Sequence, residues 1–212
     1  MRELTIVFHH PDFYVLDKPA GAPMHANNDE RSVVHQLSEQ MNEPLWPVHR
    51  LDTPTSGALL VARSQAAAAA LSELFARRAV QKYYLAISAG KPKKKQGLVS
   101  GDMQNVRRGN WRLLHTHDNP AQTRFMSYSL KPGYRYYVLK PITGRTHQLR
   151  VALKSLGVPI CGDQRYGGEP AQHLHLHAWK LQFTYANALI DIEVPWPAYE
   201  NFLDLPASIS ML

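Results

Sequence analysis

Gln122-Thr123-Arg124-Phe125-Met126-Ser127-Tyr128-Ser129-Leu130, Lys131-Pro132-Gly133 and Tyr134-Arg135-Tyr136-Tyr137-Val138-Leu139-Lys140 follow one another as two β-rich runs around a Pro-Gly turn. That order predicts an antiparallel hairpin. The pattern recurs near the C-terminus, where His173 to Thr184 and Ala188 to Val194 flank Tyr185-Ala186-Asn187. There Ile190, Ile192 and Val194 alternate with Leu189, Asp191 and Glu193, so one face is covered and one is wet. Leu4 to Phe8 and Phe13 to Asp17 form another short pair around Pro11-Asp12. Gly57 to Arg63 and Gln81 to Ala89 have the composition of buried strands. Helices are fewer. Ser64 caps a run to Arg78 that begins with the alanines Ala66 to Ala70 and continues the stripe Leu71, Leu74, Phe75. Ser32 to Met41 turns Val33, Val34 and Leu37 inward. Thr146 to Leu156 turns Leu149, Leu153 and Leu156 inward, with His147, Arg150 and Lys154 on the opposite face. Hairpins dominate and strict strand–helix alternation is missing, which predicts α+β with a largely antiparallel sheet. Gly90 to Pro120 is the least regular stretch and is expected to be an excursion from the core sheet.

Length and charge bound what such a fold can do. A chain of 212 residues suits a single domain over residues 1–212 and buries a sizeable core without staples. Cys161 is its one cysteine, so an intramolecular disulfide and a cysteine-based metal site are excluded. No stretch approaches the ~18 consecutive apolar residues of a membrane span. The N-terminal run to His9-His10 has no signal-peptide pattern, and a cytoplasmic protein is expected. There are 24 Lys+Arg against 17 Asp+Glu, a net charge of +7, which favours a polyanionic partner. The basic groups cluster. Lys91, Lys93, Lys94 and Lys95 surround Pro92, and Arg107, Arg108 and Arg112 surround Trp111. Cations beside an aromatic suit phosphate contact and base stacking, and a solvated loop edge has the same composition.

Three segments carry candidate chemistry. In His49-Arg50-Leu51-Asp52-Thr53-Pro54-Thr55-Ser56-Gly57, an acid stands where a loop meets a buried strand. In a low-dielectric pocket its carboxylate serves as nucleophile or base, and otherwise it caps the turn. Pro141-Ile142-Thr143-Gly144-Arg145-Thr146-His147-Gln148-Leu149-Arg150 joins a strand to a helix start. Arg145, His147 and Arg150 near free N–H groups favour an anion there, or decorate an exposed helix. His173, His175 and His177 alternate on one strand face, as metal ligands or as a plain polar face. P-loop, G-x-G-x-x-G and G-x-S-x-G patterns are absent.

The nonamer His49 to Gly57 resembles the H-R-L-D-x-x-T-S-G signature of the RluA-type RNA pseudouridine synthases. Further segments resemble that family in its own order: Asp17-Lys18-Pro19-Ala20-Gly21 its K-P-x-G element, Lys82-Tyr83-Tyr84-Leu85-Ala86 its K-x-Y-x-A strand, and Ala121-Gln122-Thr123 its A-x-T strand start. Pro141 to Arg150 is similar to its P-x-T-G-R-T-H-Q-L-R element throughout. Gly162-Asp163 with Tyr166-Gly167, and Leu176-His177-Ala178, are similar to its later elements.

The resemblance implies a mixed, mostly antiparallel central β-sheet flanked by helices. It also implies isomerisation of a uridine within rRNA or tRNA to pseudouridine, without a cofactor. The C1′–N1 bond breaks, the uracil turns, and C5 bonds to C1′. By the same resemblance Asp52 is the catalytic aspartate, acting on C1′ or on the 2′ proton. Tyr84 lies against the flipped uracil, and Arg145 keeps the carboxylate ionised. His49, Arg50, His147 and Arg150 are expected to contact RNA or shape the scaffold. Lys93, Lys94 and Lys95 belong to the basic excursion, about residues 91–120, which is expected to bind RNA. No S4 module is expected ahead of Lys18, nor a metal, and the chain is expected to be a monomer. A non-catalytic RNA-binding module on the same fold is the alternative.

Overall fold

The computed structural model describes residues 3–25, 31–198 and 200–210. In chain order the elements begin with β1 (Thr5–His9), β2 (Phe13–Lys18), α1 (Val33–Met41), β3 (Trp46–Pro47), β4 (Ser56–Ala62) and α2 (Gln65–Ala76). There follow β5 (Gln81–Ala89), β6 (Gln96–Gly101), β7 (Met103–Asn105), β8 (Trp111–Leu113), β9 (Ala121–Lys131) and β10 (Tyr134–Pro141). The last are α3 (Gln148–Ser155), β11 (Leu176–Tyr185) and β12 (Ala188–Glu193). The chain divides into two compact units, Met1–Lys82 with His177–Trp196, and Tyr83–Leu176 with Pro197–Leu212.

The cap expected at Ser64 forms, and Ser32, expected to begin the first helix, caps it instead. Ser32 Oγ accepts the His35 N–H at 3.2 Å, and Ser64 Oγ accepts that of Ala67 at 3.1 Å. Each satisfies a donor that the first helical turn leaves over. Asn42, left-handed at φ 53°, then ends α1. In the first unit the strand order is β1-β2-β4-β11, with β12 on β11 and β3 on β4. β4 is buried along its whole length, as its apolar run requires. Its pairing with β2 is antiparallel and its pairing with β11 is parallel, joining Ser56 and Gly57 to His177 and Ala178. Gly57 makes that approach possible. Its φ is +105°, and a Cβ there would stand 2.2 Å from the Ala178 carbonyl oxygen.

In the second unit β5-β10-β9-β6 pair antiparallel throughout. The hairpin expected around Lys131-Pro132-Gly133 is β9–β10, paired from Lys131↔Tyr134 to Thr123↔Pro141 with a register shift between Tyr134 and Arg135. Leu149, Ala152 and Leu153 of α3 pack with Phe125, Tyr137, Leu139 and Ile160 to form its core. The whole is α+β with mixed, mostly antiparallel strands.

Three details depart from the sequence expectation. The stretch Gly90–Pro120 is more regular than its composition suggests, since it holds β6 and a separate two-stranded ribbon, β7–β8. Pairing to β9 imposes strand geometry on the glycine-containing β6. At its end Gly101 lies where a Cβ would meet the Leu114 carbonyl at 2.1 Å. The strand expected from His173 begins only at Leu176. The helix expected from Thr146 begins at Gln148, because His147 is left-handed at φ 57°.

Replacing Gly57 with Ala is expected to cost about 2–4 kcal/mol, from positive-φ strain and from collision with rigid backbone. Urea unfolding measures it, and a loss below half a kcal/mol would contradict the close β4–β11 pairing.

Candidate active site

Asp52 opens a tight turn, its carbonyl accepting the Thr55 N–H at 2.9 Å, and its side chain is half-buried. A buried lysine from the end of β2 builds the turn's floor. Lys18 is 0% exposed, and its Nζ donates to the carbonyls of Pro19 at 3.0 Å, Thr53 at 3.0 Å and Thr55 at 2.8 Å. Gly21 N–H reaches the Thr53 carbonyl as well, at 2.9 Å. The segment Asp17 to Gly21 and the Asp52 turn are thus one hydrogen-bonded piece. Burial draws the Lys18 ammonium down to about 8, against the attraction of Asp52 and then of Asp17. Burial likewise raises the Asp17 carboxyl to about 6, with Lys18 opposing. No spacing rule finds Lys18. Its signal is a lysine closing an apolar strand just before Pro19.

Two histidines support the same loop and strand from beneath. His49 stacks on Phe75, centroids 4.4 Å apart, and its Nε2 accepts the Leu60 N–H at 3.0 Å. Burial, with Lys82 adding repulsion, lowers it to about 3. His177 sits between Ser56 Oγ at 2.9 Å and the Val194 carbonyl at 3.4 Å, and burial lowers it to about 4. Arg50, between His49 and Asp52, is exposed.

In the second unit Tyr84 lies on β5 opposite Leu139, half-buried against the core. Arg145 lies in the loop between β10 and α3, and neutral groups shape that loop. Thr143 Oγ1 accepts the Gln122 N–H at 2.9 Å and donates to Gln148 Oε1 at 2.7 Å. Gln148 Oε1 also takes the Arg145 N–H at 3.0 Å, while its Nε2 reaches the Gln122 carbonyl and Thr123 Oγ1. Gln148 therefore ties the start of β9 to the loop that carries Arg145. The Arg145 side chain is exposed and its guanidinium donates to Asn119 Oδ1.

His147 and Arg150 do not take the solvent-facing places that helical periodicity suggests. Arg150 is buried, its Nε and Nη2 each 2.8 Å from Asp163 in a two-pronged ion pair, with the Tyr166 ring 5.1 Å away. His147 Nδ1 is 2.8 Å from the Tyr166 hydroxyl. The opposing charge of Asp163 is what allows a guanidinium at that depth. Asp163 and Tyr166 are distant in sequence from α3, so periodicity cannot pair them with it. Lys93, Lys94 and Lys95 are exposed. The single strand face read over His173, His175 and His177 does not form, because β11 begins only at Leu176. His173 and His175 precede β11, the His175 ring stacks on Phe202, and both nitrogens of His177 face protein partners. Among the described residues no three His, Cys, Asp or Glu side chains gather as a metal-holding group, and no helix is long and apolar enough to cross a membrane.

A family described as RNA pseudouridylate synthase matches residues 12–155, which hold the Lys18 floor, the Asp52 turn, Tyr84 and the Arg145 loop. The chain belongs to that family. The synthase is 47% identical over 193 residues to an uncharacterized RNA pseudouridine synthase of Haemophilus influenzae, covering 90% of this chain and 86% of that one. It is 34% identical over 217 residues to the dual-specificity RNA pseudouridine synthase RluA of Escherichia coli, covering 96% and 92%. The solved structure of human RNA pseudouridylate synthase domain containing 1 superposes with a TM-score of 0.80 at 30% identity, covering 92% and 84%. The synthase is thus an isomerase acting on RNA.

His49 and His177 give the synthase an acid limit. Both are neutral when folded and titrate near 6.5 when unfolded, so their contribution is whole above about pH 6.5 and is lost as pH falls. Asp17 opposes them, because its raised carboxyl takes a proton in the folded state first, as pH falls through about 6. Net loss between pH 7 and pH 5 is expected to be about 2–3 kcal/mol. Urea midpoints across that range measure it, and a flat profile would contradict two neutral imidazoles.

Proposed function

We propose that the chain is a single catalytic domain over residues 1–212 that isomerises a specific uridine of rRNA or tRNA, with Asp52 as the catalytic aspartate. Tyr84 lies against the extruded uracil, and Arg145 keeps the carboxylate ionised and oriented. The observation carrying this reading is the construction under Asp52. An ammonium held by three carbonyls stabilises a half-buried carboxylate at the mouth of a rigid turn. That arrangement holds an acid beside a buried cation on a fixed turn, which suits attack on a sugar carbon or removal of a sugar proton. The reaction returns every atom to the same nucleotide, so its demands on the protein are positioning and charge.

Exposed cations supply the RNA surface: Arg50, Lys93, Lys94 and Lys95, with Arg107 and Arg112 on the ribbon. His49, His147 and Arg150, held by protein partners, shape the scaffold instead. Unstacking the target base costs a few kcal/mol, which phosphate contacts of this kind offset.

Asp52→Asn is expected to lower pseudouridine formation at least about 10³-fold while RNA binding persists. Pseudouridine mapping of RNA from cells that carry only this variant, beside cells lacking the protein, measures it and names the uridine. Undiminished modification would overturn the assignment of Asp52. Charge reversal at Lys93, Lys94 and Lys95 is expected to weaken RNA binding and to reduce its salt slope by about 2–3. A salt titration showing the wild-type slope would remove those lysines from the interface.

A further inference from the structure

The β7–β8 ribbon has two strands of three residues each, too few to be stable alone. It nevertheless carries Arg107 and Arg112, both exposed, with Trp111 half-buried between them. Something outside the ribbon must hold it. At its base, Leu114 N–H and the Asp102 carbonyl meet at 2.7 Å, and the Asp102 carboxylate takes the N–H groups of Asp118 and Asn119 at 3.0 and 2.8 Å. Leu113 of β8 packs against the core of the second unit, and farther out a phenol ties the ribbon down. Tyr166 OH accepts the Trp111 backbone N–H at 3.1 Å and lies 2.8 Å from His147 Nδ1, one residue before α3. A hydroxyl that already accepts an N–H has its own proton to give to that imidazole nitrogen. Burial raises the phenol above its ordinary pKa, which keeps the proton in place.

Tyr166 is itself fixed from every side. Asp163 Oδ1 accepts its backbone N–H at 3.2 Å, Lys154 Nζ donates to its carbonyl at 2.8 Å, and the Arg150 guanidinium covers its ring. Arg165 next to it reaches Asn110 Oδ1 at 3.0 Å, a second tie to the ribbon. The hydroxyl therefore transmits the rigidity of the buried Arg150–Asp163 pair to a surface ribbon.

We propose that Tyr166 is a positioning residue for RNA binding, its hydroxyl fastening the basic β7–β8 ribbon to the start of α3 so that Arg107 and Arg112 meet the phosphates preorganised. This rests on reading the ribbon as an RNA surface. Ordering the ribbon before binding removes that cost from the binding step. Tyr166 touches no phosphate, so its loss changes affinity without changing the number of counterions released.

The test compares Tyr166→Phe, Arg107→Ala/Arg112→Ala and the triple variant as full-length protein, with bulk tRNA and fragmented rRNA as probes. Phenylalanine keeps the ring under Arg150 and both backbone bonds, so the fold persists, and thermal unfolding verifies that. Tyr166→Phe is expected to raise Kd about fivefold with an unchanged salt slope. Arg107→Ala/Arg112→Ala is expected to raise Kd and lower the slope by about 1–2. With both arginines gone, adding Tyr166→Phe is expected to change Kd less than about twofold. Wild-type affinity in Tyr166→Phe beside a weakened arginine variant would overturn the proposal and leave the ribbon's RNA contact standing. So would an equal Tyr166→Phe penalty in both backgrounds. Wild-type affinity and slope in the arginine variant would overturn the RNA reading of the ribbon, and the proposal with it.

Discussion

An ammonium with no access to water must find all its acceptors in the protein, and Lys18 finds them in the carbonyls of Pro19, Thr53 and Thr55. Leaving those donors unmatched at that depth would cost several kcal/mol. The chain from Thr53 to Thr55 is therefore pinned to the end of β2, and Asp52 with it. Gly57, two residues beyond Thr55, then allows β4 to meet β11 at van der Waals limits. A turn anchored on one side by charge and on the other by backbone contact has little freedom. The charge itself is held short of full comfort, since burial brings Lys18 to about 8 while Asp52 and Asp17 oppose the shift.

The loop bearing Arg145 is organised by the opposite strategy. Thr143, Gln148, Gln122 and Thr123 satisfy one another through neutral hydrogen bonds. Such a network fixes geometry without adding a field that would compete for the guanidinium. Asn119, the side-chain partner of Arg145, is neutral too. A neutral acceptor orients a cation and leaves its charge available to an anion.

The local rules of the sequence read the strands and caps well, because these depend on neighbours within a few residues. The hairpin around Gly133 and the caps at Ser32 and Ser64 are local in that sense. β6 and the β7–β8 ribbon were hidden, since Gly97, Gly101 and a run of lysines oppose strand propensity and only pairing to β9, or anchoring by Tyr166, overrides it. Arg150 misleads helical periodicity for the same reason: its place is decided by Asp163, thirteen residues on. At the candidate site, the segments holding Asp52 and Arg145 stand out as polar residues with glycine where packing asks for neither. Lys18 and Gln148 fall inside quoted segments, but their roles and that of Asn119 are not legible there, because each acts on backbone or amide groups that leave no spacing in the sequence.

The ribbon shares no strand with the β5-β10-β9-β6 sheet. Apart from Leu113, which packs against the core of the second unit, its sequence can accordingly drift, lengthen or be exchanged while the hydrophobic interior stays as it is. On the proposed RNA reading of the ribbon, target preference rests on one small appendage, open to grafting, that Tyr166 and Arg165 fasten from outside.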